Sequence, residues 1–541
     1  MHPPILPRYV NHFSYSRLMG GPPEDLILAV DIGTTNVRAA VTDRQGKFLA
    51  IAFEPIIILS PQPGYSEICP EDLFKKIVRV IKKVVAGKDE RIRGMGISVQ
   101  RNTFVTWDAK TGKYNHNFIT WLDTRTSKFC EAWNNSYLTM AGKWMCWGLG
   151  KVTGSRHLIC ASTYCVREAQ IQPRLKWVLE NIPKAKEQQK TGQLRFGTME
   201  TWLVWKLTNK RVWATDHSCA SGTGIFDLWK GVWCPNMTYI FGIPCDILPE
   251  VRDTNAFYGN TEATILGVSI PICGVIGDQQ ASCLGNQLFN TGDIKLTMGT
   301  GIVADVNTGD KMHPTCHNMY PNIGWKFVGE KSTYIAEILS SNGGRSMNWA
   351  IDSGMLSDVT KSSDVAKSVQ DSGGVAFIPA FHGMQIPVID RTAATSLFGI
   401  TPSTCTKHIV RAILESQAFT SKYILDTTFA SYGKPAILHV DGGVSQADFI
   451  VECVVSLCDI SIARSESVEG SLLGAAFAAG LGCGLWKSTD DIVESVRMKE
   501  TIFDQRDFKK LEMDSAYSNW IRAASKCQNW YDVPTSQADQ V

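Results

Sequence analysis

Val30-Asp31-Ile32-Gly33-Thr34-Thr35 forms a turn between two apolar, strand-like runs, and a matching turn occurs at Thr297-Met298-Gly299-Thr300-Gly301. The two turns lie in opposite halves of the chain. Glycine lets the backbone approach a ligand closely, and exposed turn amides with nearby threonine hydroxyls create an anion-binding site. One such turn in each half predicts two related domains that hold a polyphosphate, expected to be ATP, in a cleft between them.

The length and composition are those of an ordinary globular chain. A single hydrophobic core does not reach 541 residues, so two large domains are expected. The formal net charge is only +2, which gives no indication of a nucleic-acid or membrane-surface partner. No apolar stretch reaches the length of a membrane span.

The sixteen cysteines do not form a recognisable metal site. None occurs in a Cys-x-x-Cys motif, and no cysteine–histidine cluster has the spacing of a zinc site. The closest pairs, Cys160/Cys165 and Cys453/Cys458, are interpreted as buried free thiols in a reducing compartment, with disulfides as the alternative. A cytoplasmic location follows from that interpretation.

The distribution of apolar runs predicts a duplicated α/β organisation. Residues 1–24 are expected to be a disordered leader, 25–289 a first domain, 290–530 a second domain and 531–541 a flexible tail. An antiparallel meander is predicted over 26–53. Further strands are predicted at 93–99, 270–276, 294–297, 302–306, 334–339, 375–379 and 437–440, and helices at 71–85, 175–179, 201–207, 281–285, from the Gly343-Gly344 break through 349, at 408–429, after 471 and at 508–530.

The first turn carries the side chains that a phosphate and its metal ion need. Asp31 ends a strand at this turn, where a carboxylate holds Mg²⁺ through water. Thr34 and Thr35 can donate to phosphate oxygens, and Arg38 adds a charge-assisted contact. The alternative is an ordinary hairpin turn. Neither a Walker P-loop nor a dinucleotide-binding glycine motif occurs in the chain.

Asp278 is the candidate general base. It follows a wholly apolar strand, which places it at the end of a sheet where active sites form. A carboxylate in that position can take the proton from a substrate hydroxyl, and Gln279 beside it can hydrogen-bond a polyol. Phosphoryl transfer depends mainly on positioning and electrostatics, so these groups would suffice. The alternative is that Asp278 caps a helix beginning at Ala281.

Three other residues are weaker candidates on their own. Arg101 ends another strand and could bind a hydroxyl-bearing substrate, although a surface arginine is the alternative. Trp121 could form an apolar wall or belong to the core. Gly443, in Asp441-Gly442-Gly443, could lie under a flat ring or a sugar.

Together these motifs resemble the FGGY family of carbohydrate kinases, and within it the glycerol kinase branch. The resemblance covers about Leu26 to Trp530 and implies a duplicated actin-like, ribonuclease-H-like fold. It is carried by the following stretches in this order: Gln100-Arg101, Phe196-Gly197-Thr198-Met199-Glu200-Thr201-Trp202-Leu203, Pro249-Glu250-Val251-Arg252, Gly277-Asp278-Gln279-Gln280-Ala281, Gly299-Thr300-Gly301, His408-Ile409-Val410-Arg411-Ala412-Ile413-Leu414-Glu415 and Asp441-Gly442-Gly443.

The resemblance implies an ATP-dependent kinase for glycerol or a similar small polyol, with Mg²⁺ as the metal ion. The resemblance is also compatible with a homodimer. The first domain would bind the polyol and the phosphates, and the second the nucleotide. The implied roles are catalytic base for Asp278; polyol binding for Arg101, Asn102, Trp121, Asp278 and Gln279; phosphate or nucleotide binding for Thr34, Thr35, Arg38, Thr300, Gly344 and Gly443; and service of the magnesium ion for Asp31.

Several positions depart from the glycerol kinase pattern. Asn102 stands where those enzymes have a glutamate after Gln-Arg, and Ala169 stands where they have a substrate tyrosine, with Tyr164 near but out of register. Gln385-Ile386-Pro387-Val388-Ile389 and Ala447-Asp448 replace two further family segments. A kinase for another small polyol or sugar, and a nucleotide-binding scaffold without turnover, therefore remain as alternatives.

Overall fold

The computed structural model describes residues 25–313, 319–381, 383–466, 469–504, 506 and 513–531. The expected disordered leader, residues 1–24, lies outside the described residues. So do residues 532–541 of the expected flexible tail and the first part, 508–512, of the predicted last helix.

The N-terminal half has an α/β core, and a run of five helices, α2 to α6 (residues 127–190), lies between its strands β7 (Phe118–Ile119) and β8 (Leu194–Thr198). Its elements are β1 (Leu26–Ile32), β2 (Asn36–Thr42), β3 (Phe48–Pro55), β4 (Glu67–Ile68), α1 (Pro70–Val85), β5 (Ile92–Val99), β6 (Phe104–Asp108), β7 (Phe118–Ile119), α2 (Ser127–Asn134), α3 (Tyr137–Thr153), α4 (Arg156–Thr163), α5 (Ile171–Asn181), α6 (Pro183–Lys190), β8 (Leu194–Thr198), α7 (Met199–Leu207), β9 (Ala214–Asp216), α8 (His217–Ser221), β10 (Phe226–Asp227), β11 (Val232–Trp233), α9 (Pro235–Phe241), β12 (Glu250–Arg252), α10 (Ala263–Leu266), β13 (Ile272–Gly277) and α11 (Asp278–Gly285).

Five of these strands form the main sheet, in the order β3-β2-β1-β5-β13. The first three strands run antiparallel, as the meander prediction stated, and β5 and β13 continue the sheet in parallel. Strand β1 is buried along its whole length because it lies in the middle of the sheet. Helix α1 packs on this sheet through an apolar stripe at helical spacing, Leu73, Ile77, Val80, Ile81 and Val84.

The C-terminal half has its own α/β core. Its elements are β14 (Ile294–Met298), β15 (Ile302–Gly309), β16 (Tyr320–Lys326), β17 (Ser332–Ser340), α12 (Gly343–Asp352), α13 (Ser362–Lys367), β18 (Ala376–Ile378), β19 (Ser396–Phe398), α14 (Thr406–Tyr432), β20 (Leu438–Asp441), α15 (Asp448–Cys458), β21 (Ile462–Ser465), α16 (Gly470–Cys483), α17 (Thr489–Ser495), β22 (Glu500–Phe503) and α18 (Asp514–Lys526).

The sheet of the C-terminal half repeats the topology of the first. Its strand order is β16-β17-β15-β14-β20-β21-β22, in which β17-β15-β14-β20-β21 corresponds to β3-β2-β1-β5-β13. In both halves the first hairpin is antiparallel and the two following strands are parallel to its first member. A three-residue turn closes each first hairpin, at 33–35 and at 299–301. The predicted duplicated α/β fold is confirmed.

Three local predictions need correction. Asp278 does not cap a helix from Ala281: helix α11 begins at Asp278 itself, because Gly277 takes the extended N-cap conformation. The Gly343-Gly344 pair does not precede α12 but forms its first turn. The last helix ends at Lys526 rather than near Trp530, because the chain then turns through Asn529, whose φ is 51°.

Helix α16 belongs to the C-terminal half by sequence but packs on the sheet of the N-terminal half. A Cβ added to Gly474 would lie 1.8 Å from the carbonyl oxygen of Ala281 in α11, and one added to Gly96 in β5 would lie 1.9 Å from the carbonyl oxygen of Ala475. The backbones therefore touch, which only glycine permits. This contact connects α16 directly to the helix that begins at Asp278.

The cysteines of the described part are all free, as expected, and Cys316 lies outside it. Cys453 and Cys458 are buried, but Cys165 is exposed and Cys160 half-buried, so the prediction of burial is wrong for that pair. The reason is that Cys165 follows α4 on the surface, where the Lys143 Nζ approaches its sulfur at 3.3 Å. None of the helices in the described ranges has the length and apolar character that crossing a membrane requires.

Candidate active site

The turn at 33–35 is fixed by hydrogen bonds to Asn36 in the same hairpin and to the predicted site residue Trp121. The Gly33 amide donates to the carbonyl oxygen of Asn36 at 3.0 Å, which closes the hairpin. The Trp121 indole Nε1 donates to Thr34 Oγ1 at 3.1 Å, so the predicted apolar wall stands beside the predicted phosphate turn. Thr35 is on the same turn, where its hydroxyl accepts from Asn36 Nδ2 at 3.2 Å.

The Asp31 carboxylate is buried and both of its oxygens are engaged. Oδ1 accepts from the Ser98 hydroxyl at 2.7 Å, because Ser98 lies opposite Asp31 on the parallel strand β5. Oδ2 accepts from Arg38 Nη2 at 2.6 Å. Arg38 Nη1 also donates to Glu469 Oε2 at 2.8 Å, just before α16 begins. Arg38 therefore connects the first phosphate turn to the C-terminal half.

Asp278 is the first residue of α11, directly after β13 ends. Its Oδ1 accepts from the Gln279 amide at 2.9 Å and lies 4.0 Å from Arg101 Nε. Burial raises the pKa of Asp278 to about 6; the Arg101 guanidinium opposes this rise, and the nearby Asp31 carboxylate adds to it. A carboxylate with a pKa near 6 is ionised at neutral pH and still basic enough to accept a proton.

Arg101 spans the two halves of the protein. Its Nη2 donates to Glu337 Oε2 at 2.5 Å, and Glu337 lies on β17 of the C-terminal half. The other oxygen of Glu337 accepts from the Tyr320 hydroxyl. Both members of the ion pair are nearly covered, with 12% and 2% of their side chains exposed. Burial lowers the pKa of Arg101, but the combined attraction of Glu337, Tyr320, Asp278 and Asp305 outweighs it and raises that pKa, so Arg101 stays charged.

Three buried polar atoms among the predicted polyol ligands have no hydrogen-bond partner in the described part of the protein. They are Arg101 Nε, Asn102 Oδ1 and Gln279 Oε1. Asn102 is also held in a left-handed backbone conformation, with φ of 61°, while its carbonyl oxygen accepts from Arg174 Nη2 at 2.8 Å. Buried polar groups are nearly always paired, and one donor and two acceptors without partners are the groups that a hydroxyl-bearing ligand can bind.

The second turn is packed between the two glycine segments predicted to line the nucleotide. The Gly344 amide donates to the Gly299 carbonyl oxygen at 2.8 Å, and the start of α12 crosses the backbone of Thr300. On the other side Gly442, with φ of 95°, approaches so closely that a Cβ would lie 2.5 Å from the Met298 carbonyl oxygen. Gly443 follows it and begins a short 3₁₀ helix.

A second network across the two halves was not predicted. The Ser282 hydroxyl, on α11, donates to Asp441 Oδ2 at 2.6 Å, and Lys295 Nζ contacts Ser282 Oγ at 3.1 Å. Lys295 Nζ also lies 3.8 Å from Asp441 Oδ1 and 3.4 Å from Asp305 Oδ2. The attraction of these carboxylates outweighs burial and raises the pKa of Lys295. The network joins the Asp278 helix to the glycine segment of the C-terminal half.

The residues of these networks that the sequence analysis did not identify could have been found from their positions in the strands. Lys295, Asp305 and Glu337 are charged residues inside otherwise apolar strands, and each is at most 1% exposed. Buried charges occur almost only in pairs or networks. By contrast, Tyr164 does not replace the missing substrate tyrosine beside Arg101, because its hydroxyl accepts from Gln172 Nε2 at 2.5 Å.

A duplicated α/β fold with a glycine-containing turn in each half, and the half-buried Asp278 carboxylate where the halves meet, fits a two-domain kinase. The chain belongs to the FGGY family of carbohydrate kinases: the N-terminal domain of the family matches residues 26–285 and the C-terminal domain residues 294–483. The actin-like fold that the sequence resemblance implied is confirmed by this match.

Similar proteins of known type support the same assignment. Glycerol kinase 5 of Danio rerio is 38% identical over 519 residues, which cover 94% of this chain and 98% of that protein. Glycerol kinase of Petrotoga mobilis is 33% identical over 515 residues, covering 94% and 99%. The crystal structure of Plasmodium falciparum glycerol kinase with ADP superposes with a TM-score of 0.81 at 26% identity, covering 93% of this chain and 98% of that one.

Proposed function

We propose that this protein is an ATP-dependent glycerol kinase that transfers the γ-phosphoryl group to a terminal hydroxyl and forms glycerol 3-phosphate. The single observation that carries the proposal is the position of Asp278. Its carboxylate lies 4.0 Å from Arg101, whose guanidinium is fixed to Glu337 of the other half. The names of the similar glycerol kinases support glycerol as the substrate.

In the proposed reaction Asp278 is the general base. It accepts the proton of the substrate hydroxyl while that oxygen attacks the γ-phosphorus in line with the leaving ADP oxygen. The direction of its pKa shift supports this role, because a carboxylate with a pKa of about 6 has a greater affinity for the proton than an ordinary aspartate. The backbone N–H of Gln279 donates a hydrogen bond to Asp278 Oδ1 and keeps the carboxylate oriented.

The polyol would satisfy the three buried polar atoms that have no partner. Arg101 Nε donates to one hydroxyl oxygen, and Asn102 Oδ1 and Gln279 Oε1 accept from hydroxyl hydrogens. Trp121, held to the turn by Thr34, covers the carbon side of the molecule. Because Asn102 is neutral, its hydrogen bond is weaker than one to a carboxylate, and a modest affinity for glycerol is expected.

The polyphosphate would lie against the two turns. Thr34 and Thr35 donate from the first turn and Thr300 from the second, while Gly344 and Gly443 line the nucleotide without side chains that obstruct it. Arg38 supplies positive charge beside these phosphates. The guanidinium of Arg38 is already bound to Asp31 and Glu469. It would therefore attract the phosphates through its positive charge, or bind them directly after breaking one of these two ion pairs.

The residues fit a magnesium ion held mainly by phosphate oxygens and water. Asp31 would hold it through water, because Ser98 and Arg38 each bind one of the carboxylate oxygens and leave an acceptor position on each for a water of the ion. No group of three or more metal-ligating side chains occurs within the described ranges. When bound, the ion would neutralise charge on the transferred phosphoryl group.

The test is a coupled ADP-release assay with Mg-ATP and glycerol, beside dihydroxyacetone, erythritol and xylulose. Glycerol-dependent turnover that is lost in Asp278→Asn supports the proposal. Turnover with another member of the panel reassigns the substrate and keeps the mechanism. No turnover with any of them, despite ATP binding, identifies a nucleotide-binding scaffold. The cytoplasmic location and the homodimer stay predictions.

A further inference from the structure

Helix α3 (Tyr137–Thr153) presents large apolar side chains to solvent. The exposed fractions are 92% for Tyr137, 88% for Leu138, 69% for Trp144, 62% for Met145 and 85% for Val152. Exposed apolar residues are common singly, but a continuous apolar patch on a surface indicates an interaction site. The remaining members of the patch are Met140, Trp147 and Leu149, each about half exposed.

The side of α3 that faces the protein is the small and polar side. Gly150 is the single buried residue of the helix. Lys143 lies on this side, with its Nζ 3.3 Å from Cys165 Sγ. An ordinary surface helix turns its apolar side toward the core, so the orientation of α3 is reversed. Burial in the described fold therefore does not explain the apolar residues of this helix.

The helix is nonetheless well formed at both ends. The Ser136 hydroxyl accepts from the Thr139 amide at the N-terminus, and Gly154 ends the helix in a left-handed conformation with φ of 68°. Helix α4 follows at once and packs against α3, with a Cβ on Gly150 only 3.0 Å from the Ile159 side chain. The apolar side is thus presented by a defined helical hairpin.

The charge of this region is entirely positive. From Ala132 to Arg167 the sequence contains no aspartate or glutamate, while it contains Lys143, Lys151, Arg156 and Arg167. Lys151 and Arg156 are exposed at the end of α3 and the start of α4. Aromatic residues accompany them: the rings of Trp144 and Trp147 meet edge to face at 6.0 Å.

We propose that α3 docks on an anionic lipid surface and lies in its plane. Tryptophan and tyrosine prefer the boundary between headgroups and acyl chains, and helices with a wide apolar side and lysines bind there. A fluid acyl layer accepts apolar side chains of any shape, and the exposed Lys151 and Arg156 would meet lipid phosphates. The helix has 17 residues, hence a length of about 25 Å, which is less than a bilayer core.

The charge argues against a second copy of this chain as the occupant. A symmetric contact through α3 would place Lys151 and Arg156 of both copies at one interface, with no acid between Ala132 and Arg167 to pair with them, and this excess of positive charge opposes the contact. A partner protein is the other alternative, and the experiment below distinguishes it. The proposed docking does not depend on the proposed substrate.

The experiment is flotation of the full-length protein with vesicles. Vesicles of phosphatidylcholine containing about a third phosphatidylserine are compared with pure phosphatidylcholine, at low salt and at about 0.5 M salt. We expect the protein to float with the anionic vesicles and to bind roughly tenfold less without phosphatidylserine or at high salt. A protein that stays at the bottom with both kinds of vesicle overturns the proposal.

The matched variants each replace two exposed aromatic residues with serine, at two different places. Trp144→Ser with Trp147→Ser should reduce flotation by about tenfold or more. Phe53→Ser with Phe257→Ser, at exposed positions outside α3, should leave it unchanged. The melting temperature of each variant checks folding. Equal flotation of the two double variants contradicts the proposal, and a change of molecular mass in solution without a change in flotation reassigns α3 to protein contacts.

Discussion

Arg101 and Glu337 form an ion pair between the two halves of the protein, with 2.5 Å between Nη2 and Oε2. The residues are 236 positions apart in sequence. While Nη2 of Arg101 is bound to Glu337, its Nε lies 4.0 Å from Asp278 Oδ1. Glu337 also accepts a hydrogen bond from the Tyr320 hydroxyl. The Asp278 carboxylate, the proposed general base, and the C-terminal sheet are therefore electrostatically connected through one guanidinium, so a change at Glu337 should affect the reaction.

Glu337→Gln tests this connection. The amide keeps the shape of the side chain but removes the charge that offsets Arg101, so stability should fall by about 1–3 kcal/mol. Because Arg101 would also lose its orientation, kcat/KM for glycerol should fall by about tenfold to a hundredfold. Steady-state kinetics and urea unfolding measure the two effects.

The surface pair of Glu54 and Arg79 is the matched control. It has the same 2.5 Å distance, but 28% and 56% of the side chains are exposed. Exposed pairs contribute little, so Glu54→Gln should change neither activity nor stability measurably. Equal effects of the two substitutions would show that burial and the active site have no part in the result.

Asp278→Asn should lower kcat by about 10²- to 10⁴-fold, because an amide cannot accept the hydroxyl proton. ATP binding should persist, because Asp278 is proposed to contact the polyol and does not belong to either of the turns proposed to bind phosphate. Single-turnover ADP release and nucleotide binding by calorimetry separate chemistry from binding. A variant with the turnover of the wild type would rule out Asp278 as the general base.

The pH profile should have an acid limb near pH 6. Asp278 has a raised pKa of about 6, so it is protonated below that pH and cannot act as a base, and ionised above it. The value of kcat/KM should therefore rise tenfold per pH unit below about 6 and level off above it. The Glu337 carboxylate contributes to the raised pKa, so Glu337→Gln should move the limb to lower pH.

Asp305 is a second buried carboxylate whose titration could produce a similar acid limb. Burial raises its pKa to about 7, although the Lys295 ammonium opposes the rise. Asp305→Asn should leave the limb where it is if Asp278 is responsible. A limb that disappears in Asp305→Asn would instead assign the titration to the buried network around Lys295.

The parts of the fold that follow from local sequence could be predicted. Each first hairpin is a continuous segment with a glycine-containing turn, and Asp278 directly follows an apolar strand, so their positions can be deduced from neighbouring residues. For the same reason Asp31 was expected at the end of the first strand and Thr34 on the turn that follows, and both lie there. The duplicated topology followed because the same local pattern occurs twice.

The long-range pairings could not be predicted in this way. Arg38 could be identified as a charge beside a phosphate turn, but nothing near it in sequence indicates Glu469, which lies 431 positions away. The small net charge of the chain likewise concealed the acid-free segment around α3, because charges elsewhere balance it. Local sequence patterns thus located the proposed reacting groups, whereas the ion pairs around them depend on the tertiary structure.

Gly474→Ala should be strongly destabilising, because its methyl group would meet the Ala281 carbonyl oxygen at 1.8 Å and force α16 away from α11. Overpacking of this kind costs about 1–3 kcal/mol or more. Gly148→Ala is the matched control: Gly148 is also a helical glycine, with no atom within 4 Å of an added Cβ, so alanine there should raise stability by up to about 1 kcal/mol. Thermal melting compares the two. Since α11 begins at Asp278, Gly474→Ala should also lower kcat below the melting transition, whereas Gly148→Ala should not; equal kcat values would show that the contact between α16 and α11 maintains the fold without positioning the base.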